Sequence, residues 1–251
     1  MNPMMDPVHA MRPGVLQLNA LPPLSLYVHL PWCIKKCPYC DFNSHVRDSI
    51  DVAGWQAALI ADMRAEAERA SGAPLTSIFF GGGTPSLMPP SLVGALLSEA
   101  ERLWGFEAQI EITLEANPSS VEAANFAALA AAGINRVSLG VQSLDDAELR
   151  FLGRLHGSNE ALAALNTAQS LFNRVSFDLI YALPGHTPEM WAERLARALA
   201  FGTGHLSLYQ LTIEPGTRFA TLVREGSLDP LADDPAAELF ALTRALTDAA
   251  G

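Results

Sequence analysis

The three cysteines of this chain are its only ones, and they fall within one short run: Cys33-Ile-Lys-Lys-Cys37-Pro-Tyr-Cys40. Three thiols cannot all pair as disulfides, and their crowding points to a loop whose thiolates converge on one centre. Soft thiolates select iron–sulfur clusters or zinc. A [4Fe–4S] cube takes four ligands, so three cysteines leave one iron open to a small molecule. A structural zinc site also takes four protein ligands, and His29 and His45 are near enough in sequence to complete one. Inert buried thiols are the third reading, although such cysteines do not ordinarily cluster this tightly.

Further polar residues recur where short apolar runs end. Tyr27-Val-His-Leu-Pro-Trp leads straight into Cys33. Gly81-Gly-Gly-Thr-Pro85 ends the second run. Three glycines let a backbone come close to a ligand, and they also suit a plain tight turn. The Gly-Lys-Ser/Thr ending of a phosphate-binding P-loop is absent. Glu115-Ala-Asn-Pro118 ends the third run. An acid at a buried strand end needs a partner, either a ligand ammonium or hydroxyl or a salt bridge to a neighbouring loop. Gln142 ends the fourth run, and Arg154 follows in Leu152-Gly-Arg-Leu-His156. Arginine suits a two-pronged grip on a carboxylate, and it is equally at home on a surface. Asp178, inside Phe177-Asp-Leu-Ile-Tyr181, wants a hydrogen-bonded partner in so apolar a strand.

The elements that must position these residues alternate along the chain. Apolar runs at Leu24–Leu30, Leu75–Phe80, Gln109–Leu114, Arg136–Val141, Arg174–Ile180 and His205–Leu211 read as buried parallel strands. Helical patterns fill the gaps, over 51–70, 91–104, 119–133, 158–172 and 187–202. Ser119 with Glu122 resembles a capping box, and Gly133 would close that helix. Six β-α units in a row imply an α/β fold with a parallel sheet wrapped by helices. A closed eight-stranded barrel would need two more units, so a partial (β/α)6 barrel of TIM type fits best, with its site at the C-terminal strand ends. Residues 1–22 are expected to be a flexible segment and 23–217 the barrel. Residues 218–251 are expected to begin a C-terminal helical region, with the chain a fragment or shortened version of a longer protein.

Composition narrows the function classes. With 251 residues and 49% hydrophobic content the chain can bury a full core. Its net charge of −11 argues against a broad nucleic-acid face. No apolar run is long enough to span a membrane, and no secretory signal is visible. Clustered free thiols without a disulfide framework point to the cytoplasm.

Taken together, and in this order on successive strands, the motifs resemble the radical S-adenosylmethionine (SAM) proteins, in the group containing oxygen-independent coproporphyrinogen III oxidase. The cysteine loop with Asp41-Phe42-Asn43, the Gly-Gly-Gly-Thr-Pro-Ser run and Asp178-Leu-Ile-Tyr-Ala-Leu-Pro-Gly185 carry the likeness, which runs from about Leu24 to Thr217. The resemblance implies that Cys33, Cys37 and Cys40 ligate a [4Fe–4S] cluster whose fourth iron is chelated by SAM. It implies that Tyr27 packs or bonds near SAM and that the backbone at Tyr39 touches its adenine. It implies that Gly82, Gly83 and Thr84 hold the methionine end. Glu115, Gln142, Arg154 and Asp178 would contact the remaining polar groups of SAM, and Thr212 would line the same site. Reductive cleavage of SAM to a 5′-deoxyadenosyl radical would follow, with an electron donor for the cluster.

Within that group the oxidase branch resembles C-x3-C-x2-C-x-C, and this chain has Phe42 where the fourth cysteine would be. That departure favours the haem-chaperone branch, whose members are associated with binding haem as cargo and delivering it to acceptor haemoproteins such as respiratory cytochromes. The alternative is the oxidase itself, which decarboxylates two propionates in porphyrin biosynthesis. His29, His45, His156, His186 and His205 are all available as haem ligands, and the sequence singles out none. The branch's C-terminal His-Asn…Tyr-Trp signature would lie beyond Gly251.

Overall fold

The computed structural model describes residues 22–70 and 72–251. The expected flexible segment over 1–22 falls almost wholly outside them. Six strands form one parallel sheet: β1 (Leu24–Leu30), β4 (Leu75–Gly82), β5 (Phe106–Ala116), β6 (Arg136–Gln142), β7 (Arg174–Tyr181) and β8 (Leu206–Gln210), in the spatial order β1-β4-β5-β6-β7-β8. Strands β2 (Trp32–Cys33) and β3 (His45–Val46) pair separately and tie the two ends of the cysteine loop together. The helices are α1 (Val52–Arg69), α2 (Pro90–Trp104), α3 (Ser120–Ala123), α4 (Phe126–Ala131), α5 (Asp146–Phe151), α6 (Ser158–Leu171), α7 (Pro188–Leu199), α8 (Arg218–Arg224) and α9 (Asp233–Ala250). Strands β1 and β8 are unpaired edges of the sheet. The fold is therefore an open, curled α/β half-barrel, the partial (β/α)6 type.

Burial differs across the sheet: β6 and β7 are largely buried on both faces, as the sequence reading expects, whereas the edge strand β1 is buried on one face only. In β1, Leu24, Leu26, Val28 and Leu30 face the helices, while Ser25 and Tyr27 are exposed on the other face. The same alternation puts Ile78 and Phe80 of β4, Leu114 of β5 and Phe177 of β7 into one core. Each such side chain contributes roughly 1.5–3 kcal/mol when fully removed from water. Much of the opposite row is polar, as at Glu111, Arg136, Ser138 and Ser176, although Tyr27, Phe79 and Ile180 stand in it as well.

Local signals place the helices. Asp51 caps α1 by accepting from the Gly54 amide at 3.0 Å, and Thr187 caps α7 by accepting from the Met190 amide at 3.3 Å. Trp191 of α7 stacks on Tyr181, and its indole donates to Thr243 of α9 at 2.7 Å. That bond seats α9 against the same core. The single helix expected over 119–133 is two, α3 and α4, because the Asn125 amide bonds back three residues to Glu122 and tightens the turn between them. Helix α5 was not anticipated, because six residues give too little periodicity to read, whereas α8 opens the helical region expected over 218–251.

Candidate cofactor site

One cavity of about 480 Å3 opens at the C-terminal strand ends. Cys33, Cys37, Tyr39, Cys40, Gly82, Gly83, Thr84, Glu115, Gln142, Arg154, Asp178 and Thr212 all line it. Of the residues assigned by resemblance to the cluster and SAM, Tyr27 is the one that stays off its wall, and the five candidate histidines are off it too. The Tyr27 ring is 57% exposed and lies against Phe79, with its hydroxyl on His29 Nδ1 at 3.1 Å.

The cysteine loop is held from several sides. The His45 amide donates to the Pro31 carbonyl at 2.7 Å, and the Arg47 amide to the Cys33 carbonyl at 3.2 Å. The Phe219 amide at the start of α8 donates to the Pro38 carbonyl at 2.9 Å. Phe219 also stacks on Phe151 of α5 and tilts against Tyr39. Gly153 has a φ of +70°, and a Cβ there would strike Pro38, so glycine is what lets the Arg154 segment come up under the loop. Helix α5, missed in the sequence, and α8 are therefore supports of the loop that was found.

Glycines 82 and 83 have an explanation the sequence did not give. Gly83 donates its amide to the Leu30 carbonyl at 2.7 Å, and a Cβ on it would collide with the Trp32 backbone. A Cβ on Gly82 would come within 2.8 Å of His29 and the Leu30 carbonyl. The close approach is first to the chain's own segment leaving β1, which then enters the cysteine loop.

Around the cavity, the Gly82 amide donates to Glu115 at 3.2 Å. Burial, and then the negative charge of Asp178, push the Glu115 carboxyl up to about 7. Burial also pushes Asp178 up to about 6, against hydrogen bonds from Ser207 and Ser138 that pull it down. Gln142 has a φ of +69°, an uncommon conformation for a residue with a side chain. Its Oε1 is buried without a partner, as is Arg154 Nε. Asn117, which the sequence reading passed over, bonds both Thr84 and Arg154. No local signal marks it, since it lies just past the end of β5 and its partners are 33 and 37 residues away.

Residues 27–198 match the radical SAM superfamily. The chain belongs to that superfamily. It is 47% identical over 206 residues to the haem chaperone HemW of Haemophilus influenzae, covering 80% of this chain and 54% of that one. It is 42% identical to HemW of Escherichia coli K12, over 92% of this chain and 61% of that one. A mouse relative, radical S-adenosyl methionine domain-containing protein 1, mitochondrial, is also 42% identical and covered to 52%. Among solved structures, coproporphyrinogen III oxidase (HemN) of Escherichia coli superposes with a TM-score of 0.77 at 29% identity, over 91% of this chain and 53% of that one. The chain thus spans between about half and three-fifths of the length of these relatives.

The cavity fits the radical SAM cofactors by its own chemistry. A structural zinc ion takes four protein donors, and the thiols of this loop are three. A cube instead takes one thiolate per iron, so three cysteines spread along one loop suit it. SAM carries an ammonium, a carboxylate, hydroxyls and an adenine. Two buried acids suit its cationic and hydroxyl groups. The unpartnered Gln142 oxygen and Arg154 N–H offer one acceptor and one donor more. Cavities of several hundred Å3 accommodate a ligand of that size.

The histidines separate clearly. His29 donates through Nε2 to the Asn43 carbonyl at 2.9 Å and accepts from Tyr27 at Nδ1, so neither nitrogen is free for zinc or haem. His156 is buried, donates to the Val141 carbonyl at 3.1 Å, and is pushed down to about 4 by burial and by Arg154. His186 is buried against Glu148 at 2.9 Å. Among the described histidines, His45 and His205 are the two that present exposed imidazoles.

Proposed function

We propose that the chain binds a [4Fe–4S] cluster through Cys33, Cys37 and Cys40, binds SAM in the adjoining cavity, and serves haem handling as a haem chaperone. The observation that carries the cofactor half is the convergence of three cysteines and nine polar or backbone positions on one cavity at the strand exits. Bound together, the cluster and SAM supply one-electron cleavage of the sulfonium. The chain's own residues do the rest. Glu115 and Asp178 present carboxylates to the ligand's cationic and hydroxyl groups. Gln142 and Arg154 offer their unpaired atoms. The cysteine loop, pinned by Phe219 and Gly153, holds the cluster over the open sheet.

The chaperone half rests on two relatives whose names say haem chaperone, at 47% and 42% identity. It is supported by Phe42, which is 59% exposed on the cavity rim where the oxidase pattern has cysteine. We place this activity in the cytoplasm, with haem, an acceptor haemoprotein and an electron donor as partners. The barrel is taken as 23–217 and the start of a further helical region as 218–251. Among the described residues no helix is long and apolar enough to cross a membrane.

A second reading is oxygen-independent coproporphyrinogen III oxidation. It is favoured by the HemN superposition and by the lining of the cavity, whose residues we assign to the cluster and SAM and none of which is a histidine. One preparation tests both. The protein is reconstituted anaerobically with iron and sulfide, reduced, and its low-temperature electron paramagnetic resonance spectrum recorded with and without SAM. A [4Fe–4S] signal that SAM changes is expected, and a colourless, zinc-containing protein would sink the cofactor reading. Haem titration and porphyrinogen consumption then divide the two activities. Stoichiometric haem uptake without decarboxylation supports the chaperone, and porphyrinogen turnover supports the oxidase.

A further inference from the structure

We propose that Asn117 is a positioning residue that sets the direction of the hydrogen bonds reaching two of the three cluster thiolates, through Thr84 to Cys33 and through Arg154 to Cys37. The inference rests on the reading of those cysteines as cluster ligands.

The argument begins with the amide's orientation. A guanidinium only donates hydrogen bonds. The Asn117 atom that meets Arg154 Nη2 is therefore Oδ1, and Nδ2 faces Thr84 Oγ1 at 3.3 Å. Chemistry, not an arbitrary choice of flip, decides which way this side chain points. Nδ2 carries only hydrogens, so Thr84 must accept from it with a lone pair. A hydroxyl has one hydrogen, and that hydrogen is then left to turn to the Cys33 sulfur, 3.7 Å away. The result is a directed chain: Arg154 donates to Asn117, Asn117 to Thr84, and Thr84 to Cys33.

The same amide fixes the second contact. With Nη2 held by Asn117 and by the Gly140 carbonyl at 2.8 Å, the other end of the guanidinium is aimed at Cys37, where Nη1 donates to the sulfur at 3.4 Å. Glycine at 140 permits this, because a Cβ there would come within 3.3 Å of Nη2. Asn117 is itself anchored, its amide donating to Glu122 at 2.8 Å. Thr84, Asn117, Arg154 and Cys37 also line a smaller cavity of about 70 Å3 behind the loop, so these residues stand between it and the cofactor cavity. The Arg154 expected to grip a ligand carboxylate with two prongs has both Nη atoms bonded to the protein, leaving Nε without a partner.

Hydrogen bonds to ligating sulfurs are one of the levers on cluster potential. They favour the more negative, reduced state and raise the potential. The test is a redox titration followed by electron paramagnetic resonance, without SAM, on the reconstituted chain. Asn117→Leu, neutral and similar in size, is expected to keep four irons and shift the midpoint to more negative potential. Thr84→Val is expected to do likewise, and Thr84→Ser, which keeps the hydroxyl, to match the wild type. The double variant Thr84→Val with Asn117→Leu is expected to shift by less than the sum of the singles, because the two share one bond. An unchanged potential in Asn117→Leu, or strict additivity, overturns the proposal. Should Asn117→Leu fail to load, Asn117→Asp takes its place, since a carboxylate keeps Arg154 but draws the Thr84 hydrogen away from sulfur. Its added charge acts equally in the Thr84 and Thr84→Val backgrounds, so equal shifts in both overturn the proposal and a larger shift with Thr84 present upholds it. Failure of the wild type to take up a cluster at all would strike the cofactor reading instead.

Discussion

The two faces of the central sheet are made of the same strands and are chemically unlike. Toward the helices the strands present Leu30, Phe80, Leu114, Leu139 and Phe177, each without measurable exposure. Toward the concave side they present a continuous polar row. Arg174 and Arg136 pair with Glu111 at 2.7 and 2.9 Å, and Arg136 donates to Ser176 at 3.3 Å. Ser176 donates to Ser138 at 2.9 Å, and Ser138 to Asp178 at 3.2 Å, reaching the cofactor cavity. The helix face supplies the stability. The concave face carries the chemistry, and at Glu115 and Asp178 it costs stability, because burial holds both acids away from their charged forms.

The largest effects should separate the faces outright. Phe177→Ala on the helix face is expected to cost about 3–5 kcal/mol, read as a large drop in the urea midpoint. Cys37→Ser on the other side is expected to leave that midpoint nearly unchanged while iron and the brown absorbance are lost. Four irons retained in Cys37→Ser would remove the cysteine from the ligand set. A comparable loss of fold in both variants would mean the faces are not separable.

Glu115→Gln should move stability the other way. In the folded protein the Glu115 carboxyl is raised from 4.5 to about 7. The native state therefore binds more protons than the unfolded one between those values, and stability falls as pH rises through that window. The glutamine variant has no such term. It is expected to match the wild type near pH 4 and to exceed it at pH 8, by about 3 kcal/mol. A cationic ligand reverses the preference by favouring the carboxylate. SAM affinity of the wild type is thus expected to tighten from pH 6 to pH 8, and that of Glu115→Gln to be weaker and flatter. A variant destabilised at pH 8 would show that the carboxylate is already paired in the ligand-free protein.

These contrasts explain which parts of the molecule were legible in its sequence. The strand positions were, because Leu-Ser-Leu-Tyr-Val-His-Leu at 24–30 carries its own period of two. Its apolar half marks the strand, but the exposure of its alternate residues at a sheet edge was not legible, since the same apolar run also suits the central strands buried on both faces. The cysteine loop was legible from composition alone. Glu115, Gln142 and Asp178 were legible because a polar residue ending an apolar run is conspicuous. Asn117 was not, since nothing local shows that it meets Thr84 and Arg154, 33 and 37 residues away. Phe219 was hidden for the same reason: its role is a backbone bond to Pro38, and Pro38 is remote in sequence. Residues that touch a ligand announce themselves by type, whereas residues that hold other residues do so only through three-dimensional contact.

The smallest effect tests whether the polar row belongs to the site or merely fills space. Ser138 is nearly buried and donates to Asp178, whose carboxyl stands at about 6 with that bond among those pulling it down. Ser138→Ala should raise the Asp178 carboxyl further and cost about 1 kcal/mol where the partner is charged. Below pH 5 Asp178 is largely protonated in both proteins and the lost bond matters less. Above pH 7 the variant's Asp178 carboxylate lacks a donor that the wild type keeps, so the gap between variant and wild type should widen as pH rises. Melting temperatures at pH 5 and pH 8 measure that gap directly. An equal gap at both values would make Ser138 a packing residue, and the concave row would then resemble the helix face more than its composition implies. A gap confined to high pH would tie the row electrostatically to the carboxylate at the cavity.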